Sequence, residues 1–132
     1  MLMKAIEELR IAIIVSSEDY ASSKWCLEEV VKIMECKEQR NLTVLPVFYK
    51  VEPRVVRKGR MSYRRALNKH ESNFRKDSEK VKRWKKALSN AGNLSGWHLN
   101  DEDESKLIQE IVKRISSHLD RAPLHVAKHR LG

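Results

Sequence analysis

The sequence of 132 residues has the length of one ordinary domain and leaves no room for two independent hydrophobic cores. Hydrophobic residues make up 41% and charged residues 34%, with four Gly and three Pro, which excludes a low-complexity or collagen-like chain. No apolar run approaches the roughly 18 residues of a membrane span, and the N-terminus lacks the apolar core of a signal peptide. We therefore expect a globular domain in the cytoplasm, with the nucleus as the alternative and no membrane partner.

The net charge of +9 is unevenly distributed along the chain. Residues 50–90 hold 15 of the 27 basic residues but only four of the 18 acidic ones. Such a segment attracts phosphate-rich partners. The alternative, which we favour, is a set of solvated helical faces, because aromatic residues do not interleave with the charges as nucleic-acid stacking requires. Nucleic-acid binding is therefore not the expected function.

The chain opens with a segment of helical spacing, residues 2–9, followed by the apolar run of residues 11–15. That run is rich in β-branched residues and is typical of a parallel strand buried on both faces. Such a strand needs neighbours on both sides, yet one long and one short strand are all that the later sequence predicts. We infer either that the N-terminal part of an α/β domain is missing or that a partner chain covers the open edge.

A helix and a second strand follow the first strand. Ser22 or Ser23 can cap a helix of about 15 residues that ends before Asn41. Residues 43–49 then read as a strand, in which Pro46 indicates an edge, a bulge or a strand end. Strand, helix and strand over this length predict a right-handed parallel βαβ unit.

The second half is predicted to be mostly helical and contains no internal repeat. Glu52 and Pro53 open a basic loop, and the last helix, which has an acidic capping pattern, stops at Leu119. Residues 120–132 resemble a linker. The intervening predictions are helices over 63–74 and 78–88, a short strand over 93–97 and a last helix with Asp101 and Glu104 as its capping pair.

The polar residues 16–29 come directly after the first strand, where open α/β folds bind their ligands. The apolar stripe of this helix consists of Leu27, Val30, Val31 and Met34. At about 100° per residue, Trp25 and Glu29 fall on the helix face turned away from that stripe. An indole beside a carboxylate suits a planar cationic ligand, with the acid supplying charge or general-base chemistry. The alternative is a surface helix whose Trp packs under the preceding loop. Glu28 points elsewhere, so the two acids do not form a carboxylate pair.

Metal and cysteine chemistry are not predicted. Cys26 and Cys36 lack a CxxC spacing, which favours reduced thiols over a disulfide or zinc site. His125 and His129 lie in the predicted linker, and we assign no metal. The phosphate-binding and nucleophile-elbow glycine motifs are also missing from the sequence.

Seven segments of the chain form a recognisable series: RIAIIVSS (10–17), YASSKWCLEEVV (20–31), VLPVFY (44–49), EPRVVR (52–57), WKKAL (84–88), NLSGW (93–97) and IQEIV (108–112). In order and spacing they closely resemble a plant-type Toll/interleukin receptor (TIR) domain. The resemblance implies a flavodoxin-like α/β fold, a parallel sheet flanked by helices, whose first two strands precede this chain. It assigns residues 1–119 to a partial TIR domain and residues 120–132 to a linker toward a nucleotide-binding domain absent from this chain.

The same resemblance implies an activity and a site. TIR domains of this type associate with one another in plant immune receptors and hydrolyse NAD+ at the nicotinamide bond, with NAD+ as substrate and no further cofactor. Their essential glutamate in the WCLxE motif falls on Glu29. Trp25, Cys26 and Ser17 are the expected NAD+-binding residues.

A non-catalytic function is the alternative. The family's first strands and the loop that closes over the nicotinamide ribose precede this chain, and Met61 stands where the family has Gly. Arg64 and Arg65 lie in a region that the family uses for assembly. The chain is then an interaction module that binds other TIR domains through its basic helices and an exposed sheet edge.

Overall fold

A computed structural model describes residues 10–40, 42–73, 78–94, 96–99, 104–119 and 124–128. The first strand, helix and second strand form a parallel βαβ unit, as predicted, and three helices then follow in succession before the third strand. The predicted helix over residues 2–9 lies outside the described residues. The elements are β1 (Ile11–Ser16), a 3-10 turn (Tyr20–Ser22), α1 (Lys24–Arg40), β2 (Thr43–Tyr49), α2 (Pro53–Lys58), α3 (Met61–Asn73), α4 (Ser78–Gly92), β3 (Trp97–Leu99), α5 (Glu104–Leu119) and β4 (Leu124–Lys128).

The strands form one parallel sheet in the order β3-β2-β1-β4. β1 lies inside this sheet, with Ile11 opposite Thr43 of β2 and opposite Leu124 of β4. All six of its residues are buried, which confirms the prediction of a strand covered on both faces. Its apolar side chains divide between the two helical layers that sandwich the sheet.

Those two layers contain separate hydrophobic cores. Ala12 and Ile14 face a large core built with α1, α2, α3 and α4. Ile13 and Val15 face the other side, where they pack with Ile108 of α5. A helix layer on each face explains why β1 reads as a continuous apolar run rather than an alternating one.

The C-terminal segment differs from its predicted structure. Residues 124–128 were expected to be linker, but they form β4, which pairs with β1 from Leu124 to Lys128. The edge of β1 that the sequence left open is therefore covered by this chain itself. Pairing between distant segments leaves no local periodic signal in five residues, which is why the sequence did not reveal it.

Two details of β2 and its surroundings follow from proline. Pro46 sits opposite Ile14, but the ladder to β3 begins only at Val47, so no hydrogen bond on that side is lost. Pro46 therefore lies at the end of the pairing with β3 but inside the pairing with β1. Pro53 starts the short helix α2, where the sequence predicted only a basic loop, because proline is well suited to the first helical position.

Candidate functional site

The loop between β1 and α1 is held in place by side chains at both ends. Ser23 caps α1, because its Oγ accepts a hydrogen bond from the Cys26 amide at 3.2 Å. The buried Tyr20 hydroxyl donates to the Cys26 carbonyl at 3.2 Å. The loop is therefore a fixed structure at the carboxyl end of the sheet, as the fold class requires of a binding loop.

Helix α3 fastens the same loop from the other side. The Tyr63 hydroxyl donates to the Ser17 carbonyl at 2.7 Å, and the Ser62 hydroxyl donates to the Glu18 carbonyl at 2.8 Å. Further along α3, His70 Nε2 donates to the Ala21 carbonyl at 3.0 Å. Burial raises the pKa of the Tyr63 hydroxyl well above its usual value, so the hydroxyl keeps its proton at neutral pH.

Glu29 is the central acidic residue of the site. It lies on α1 and is 4% exposed, with its Oε2 2.9 Å from Nε2 of His125 on β4. The imidazole therefore donates a hydrogen bond to a buried carboxylate, which is the arrangement that burial of a charge demands. The site combines residues from opposite ends of the chain.

The predicted helix-face arrangement of Trp25 and Glu29 is wrong. Trp25 is 56% exposed, whereas Glu29 faces the protein interior. α1 packs against α4 as well as the sheet, so its buried surface extends well beyond the apolar stripe used for the prediction. The additional buried residues of α1 are Cys26, Glu29, Ile33 and Cys36.

The other predicted site residues are only partly brought together. Cys26 is buried beside Glu29, and burial, with a smaller effect from that carboxylate, raises the pKa of its thiol. It is therefore a neutral thiol rather than a nucleophile at neutral pH. Ser17 stays at the end of β1, where its carbonyl accepts the Tyr63 hydrogen bond, and Trp25 points toward solvent. Cys26 and Glu29 are the predicted site residues that lie next to each other.

Sequence reasoning missed His125 because it placed the residue in a linker. A histidine with an apolar neighbour on each side gives no helical period, and its partner Glu29 is remote in the sequence. The signal that could have found it was the unpaired edge of β1, which required a covering strand from somewhere.

Among the described residues, no group of three or more His, Cys, Asp or Glu side chains is arranged to hold a metal ion. None of the helices in the described ranges is long and apolar enough to cross a membrane.

Comparison with known proteins gives consistent results. The TIR domain family matches residues 1–130. The chain is 45% identical over 132 residues to TMV resistance protein N of Nicotiana glutinosa and 46% identical over 132 residues to disease resistance protein RPV1 of Vitis rotundifolia. These alignments cover 99% of this chain but 12% and 9% of those proteins, so the chain spans about a tenth of their length.

A solved structure is similar over most of the fold. The TIR domains of the activated Roq1 resistosome, which directly recognises the pathogen effector XopQ, superimpose with a TM-score of 0.76 at 50% sequence identity. The match covers 86% of this chain and 70% of that one.

Proposed function

Since this chain belongs to the TIR domain family, we propose that it is a signalling module of plant disease resistance that cleaves NAD+ and associates with other TIR domains. The observation that carries the catalytic part is the buried Glu29 carboxylate on α1, next to the loop that follows β1. A carboxylate in a site of low water content interacts strongly with a developing positive charge. Cytoplasm is the proposed location.

The chemistry asked of Glu29 is simple. The bond between ribose C1′ and the nicotinamide nitrogen breaks, and neutral nicotinamide leaves with the electron pair. The Glu29 carboxylate stabilises the positive charge that develops at C1′ and accepts a proton from the attacking water. NAD+ and water thus give ADP-ribose, nicotinamide and a proton. Trp25, Cys26 and Ser17 remain the proposed binding residues.

The contact between Glu29 and His125 limits this activity. With its Oε2 bonded to the imidazole at 2.9 Å and 4% of the residue exposed, Glu29 has no space beside it for a ribose ring. Cleavage by this chain therefore requires β4 to move away from α1. We propose that association with another TIR domain accompanies that movement.

The same burial favours a second candidate function. A chain whose Glu29 stays bonded to His125 is a non-catalytic module that binds other TIR domains. This alternative needs only the exposed helices and the outer edge of the sheet, not access to the carboxylate.

The deciding experiment measures NAD+ cleavage by the 132-residue chain at protein concentrations high enough for self-association. Glu29→Ala is expected to lower the rate by at least about a hundredfold, the range of a lost general base. His125→Ala is expected to raise the rate, because it frees the Glu29 carboxylate. Glu35→Ala is the control, since this exposed carboxylate lies on the same helix.

Equal rates for the wild-type chain and Glu29→Ala would contradict the catalytic assignment. If neither the folded wild-type chain nor His125→Ala cleaves NAD+, while sedimentation detects self-association, the non-catalytic function is supported instead.

A further inference from the structure

A cavity of about 480 Å³ lies between α2, α3 and α4, away from Glu29. Four cationic side chains line it, Arg57 and Lys58 from α2, Arg64 from α3 and Lys85 from α4. We call this cavity the basic cleft. Its volume is within the range of small-molecule sites, roughly 300–1,000 Å³.

The backbone brings these cations together. Gly59 follows the last residue of α2 and adopts the left-handed conformation with φ of 58°, and the Arg60 amide then donates a hydrogen bond to the Val55 carbonyl at 3.0 Å. This turn sends α3 back beside α2, so that Arg57 and Arg64 face the same cavity. The cleft is therefore built from helices joined by a tight turn rather than from a long loop.

Close packing holds α4 against α2. A Cβ atom added at Gly92, the last residue of α4, would lie 2.7 Å from the Arg57 Cα. The absence of a side chain there lets α2 lie directly on α4. Lys85 on α4 is thereby held on the same cavity as Arg57.

The protein balances only part of the charge of the cleft. Lys85 pairs with Glu71 at 3.4 Å, with both side chains about half exposed. Within the described part of the chain, Arg57, Lys58 and Arg64 make no ion pair, and the cavity lining contains no acidic residue. Cations held close together without counter-charges repel one another, and a bound anion relieves this repulsion.

Helix dipoles explain the positions of only some of the cations in the basic cleft. Arg57 and Lys58 occupy the last turn of α2, where positive charge complements the helix dipole. Arg64 is in the first turn and a half of α3, at the end where the dipole disfavours a cation. The helix dipole therefore does not explain why Arg64 lines the same cavity as Arg57 and Lys58.

A neighbouring cavity provides a contrast on the same surface. Two acidic side chains, Glu18 and Glu52, line this cavity. Its cationic lining residues are Lys50, Arg54, Arg60 and Arg65. There, Glu52 pairs with Arg54 at 3.7 Å. Mixed charge makes that cavity a poor anion site, whereas the basic cleft carries charge of one sign.

We propose that the basic cleft binds a small anion with clustered phosphate groups, an oligophosphate or the oligophosphate part of a nucleotide. Arginine suits this ligand because its planar guanidinium binds phosphate oxygens with two parallel hydrogen bonds. Asn68 and Ser89 add neutral hydrogen-bonding groups to the lining. The lining also includes Val56, Leu67 and Leu88, whose buried side chains add apolar surface to the cavity.

The test is isothermal titration of the chain with sodium tripolyphosphate and, separately, with ATP. The double variant Arg57→Ala with Arg64→Ala is expected to bind tripolyphosphate at least about tenfold more weakly than the wild-type chain. The matched control is Arg54→Ala with Arg65→Ala, which removes the same charge from the same two helices but from the neighbouring cavity. This control is expected to bind within about twofold of the wild-type chain.

Three results would overturn the proposal. They are no saturable binding of either probe, an equal loss in both double variants, and tight binding of an oligonucleotide with none of tripolyphosphate. Equal loss would mean a diffuse attraction of the whole basic segment. Equal affinity for tripolyphosphate and ATP would identify the phosphates as the recognised group. Tighter binding of ATP would show that the cleft also recognises the base.

The result does not depend on NAD+ cleavage. Glu29→Ala is expected to bind tripolyphosphate as the wild-type chain does, because Glu29 is not part of the cleft lining. Amide chemical shifts of Gly59 and Ser89 give a second readout, and unchanged shifts at saturating tripolyphosphate would place binding elsewhere.

Discussion

The Glu29 site and the basic cleft treat charge in opposite ways. Glu29 is buried and bonded to His125, whereas the cleft holds three cations that have no ion-pair partner among the described residues. An unpaired charge is costly to bury, and His125 on β4 donates the hydrogen bond that Glu29 needs. At the surface water screens the charges, and like charges are tolerated. The fold therefore has to provide a partner for Glu29, whereas it can leave the cations of the cleft available to a ligand.

The largest expected effect comes from Trp84, which supports both regions. Its Nε1 donates to Glu28 on α1 at 3.2 Å, and its ring lies 5.3 Å from that of His70 on α3. Trp84→Ala is expected to lower the free energy of unfolding by about 3–5 kcal/mol, measured by urea denaturation. The matched control Trp25→Ala removes an exposed indole and is expected to cost about 0.5 kcal/mol or less. Similar losses in the two variants would contradict this.

The pairing of the buried acid is tested by His125→Ala. Removing the imidazole leaves the Glu29 carboxylate without this hydrogen bond, at an expected cost of about 1–3 kcal/mol in the free energy of unfolding. His98→Ala is the control, because His98 is an exposed residue on β3. If both variants lose the same stability, the contact with Glu29 does not hold β4 in place.

Gly92→Ala tests the packing that builds the basic cleft. Alanine favours a helix over glycine by up to about 1 kcal/mol, so a helix-propensity effect alone would stabilise the chain. The contact with the Arg57 backbone predicts the opposite sign. The free energy of unfolding, measured by thermal denaturation, is expected to fall by about 1–3 kcal/mol. We also expect weaker binding of tripolyphosphate, since α2 must move away from α4. A more stable variant would show that the two helices are not in tight contact.

Tyr63 links the loop after β1 to α3 and gives the chain a pH dependence. Tyr63→Phe removes the bond to the Ser17 carbonyl and is expected to cost about 1 kcal/mol at neutral pH. The pKa of the hydroxyl is raised in the folded chain by burial, so above about pH 10 the unfolded chain loses protons that the folded chain retains. Stability should therefore fall as the pH rises above about 10, and less steeply in Tyr63→Phe. If stability falls equally steeply with pH in the two chains, this assignment is wrong. Tyr20 is also buried with a raised pKa and accounts for the pH dependence that remains in Tyr63→Phe.

The smallest expected effect concerns the stability of the cleft itself. Arg64→Ala removes a cation with no ion-pair partner in the described ranges, so the free energy of unfolding should change by no more than about 0.5 kcal/mol. Added salt screens the repulsion among Arg57, Lys58 and Arg64 and should stabilise the wild-type chain more than Arg64→Ala. A loss above 1 kcal/mol in Arg64→Ala would mean that this arginine is a structural residue.

The core of the fold could be predicted from the sequence because its signals are local. The apolar run Ile11–Val15, the capping Ser23 and the strand Thr43–Tyr49 each follow from side chains within a few residues of one another. The TIR family and its flavodoxin-like fold, inferred from motif segments, are confirmed by the comparisons. β4 could not be predicted, because its stability comes from pairing with β1 rather than from its own residues.

The site was harder to predict for a related reason. The motif identified Glu29, but a helical projection counts side chains on one helix and cannot include what packs around it. α4 and β4 both contact α1, which turns a position expected at the surface into a buried one. The catalytic roles of Glu29, Trp25, Cys26 and Ser17 stay predictions until the cleavage assay is done.

The parallel pairing of β1 with β4 has a consequence for biosynthesis. β1 precedes β4 in the chain, so it emerges from the ribosome before the strand that covers one of its edges. During that interval an apolar strand with unsatisfied backbone groups is exposed to other nascent chains. Translation speed and chaperone binding to residues 11–16 should therefore affect the yield of folded protein.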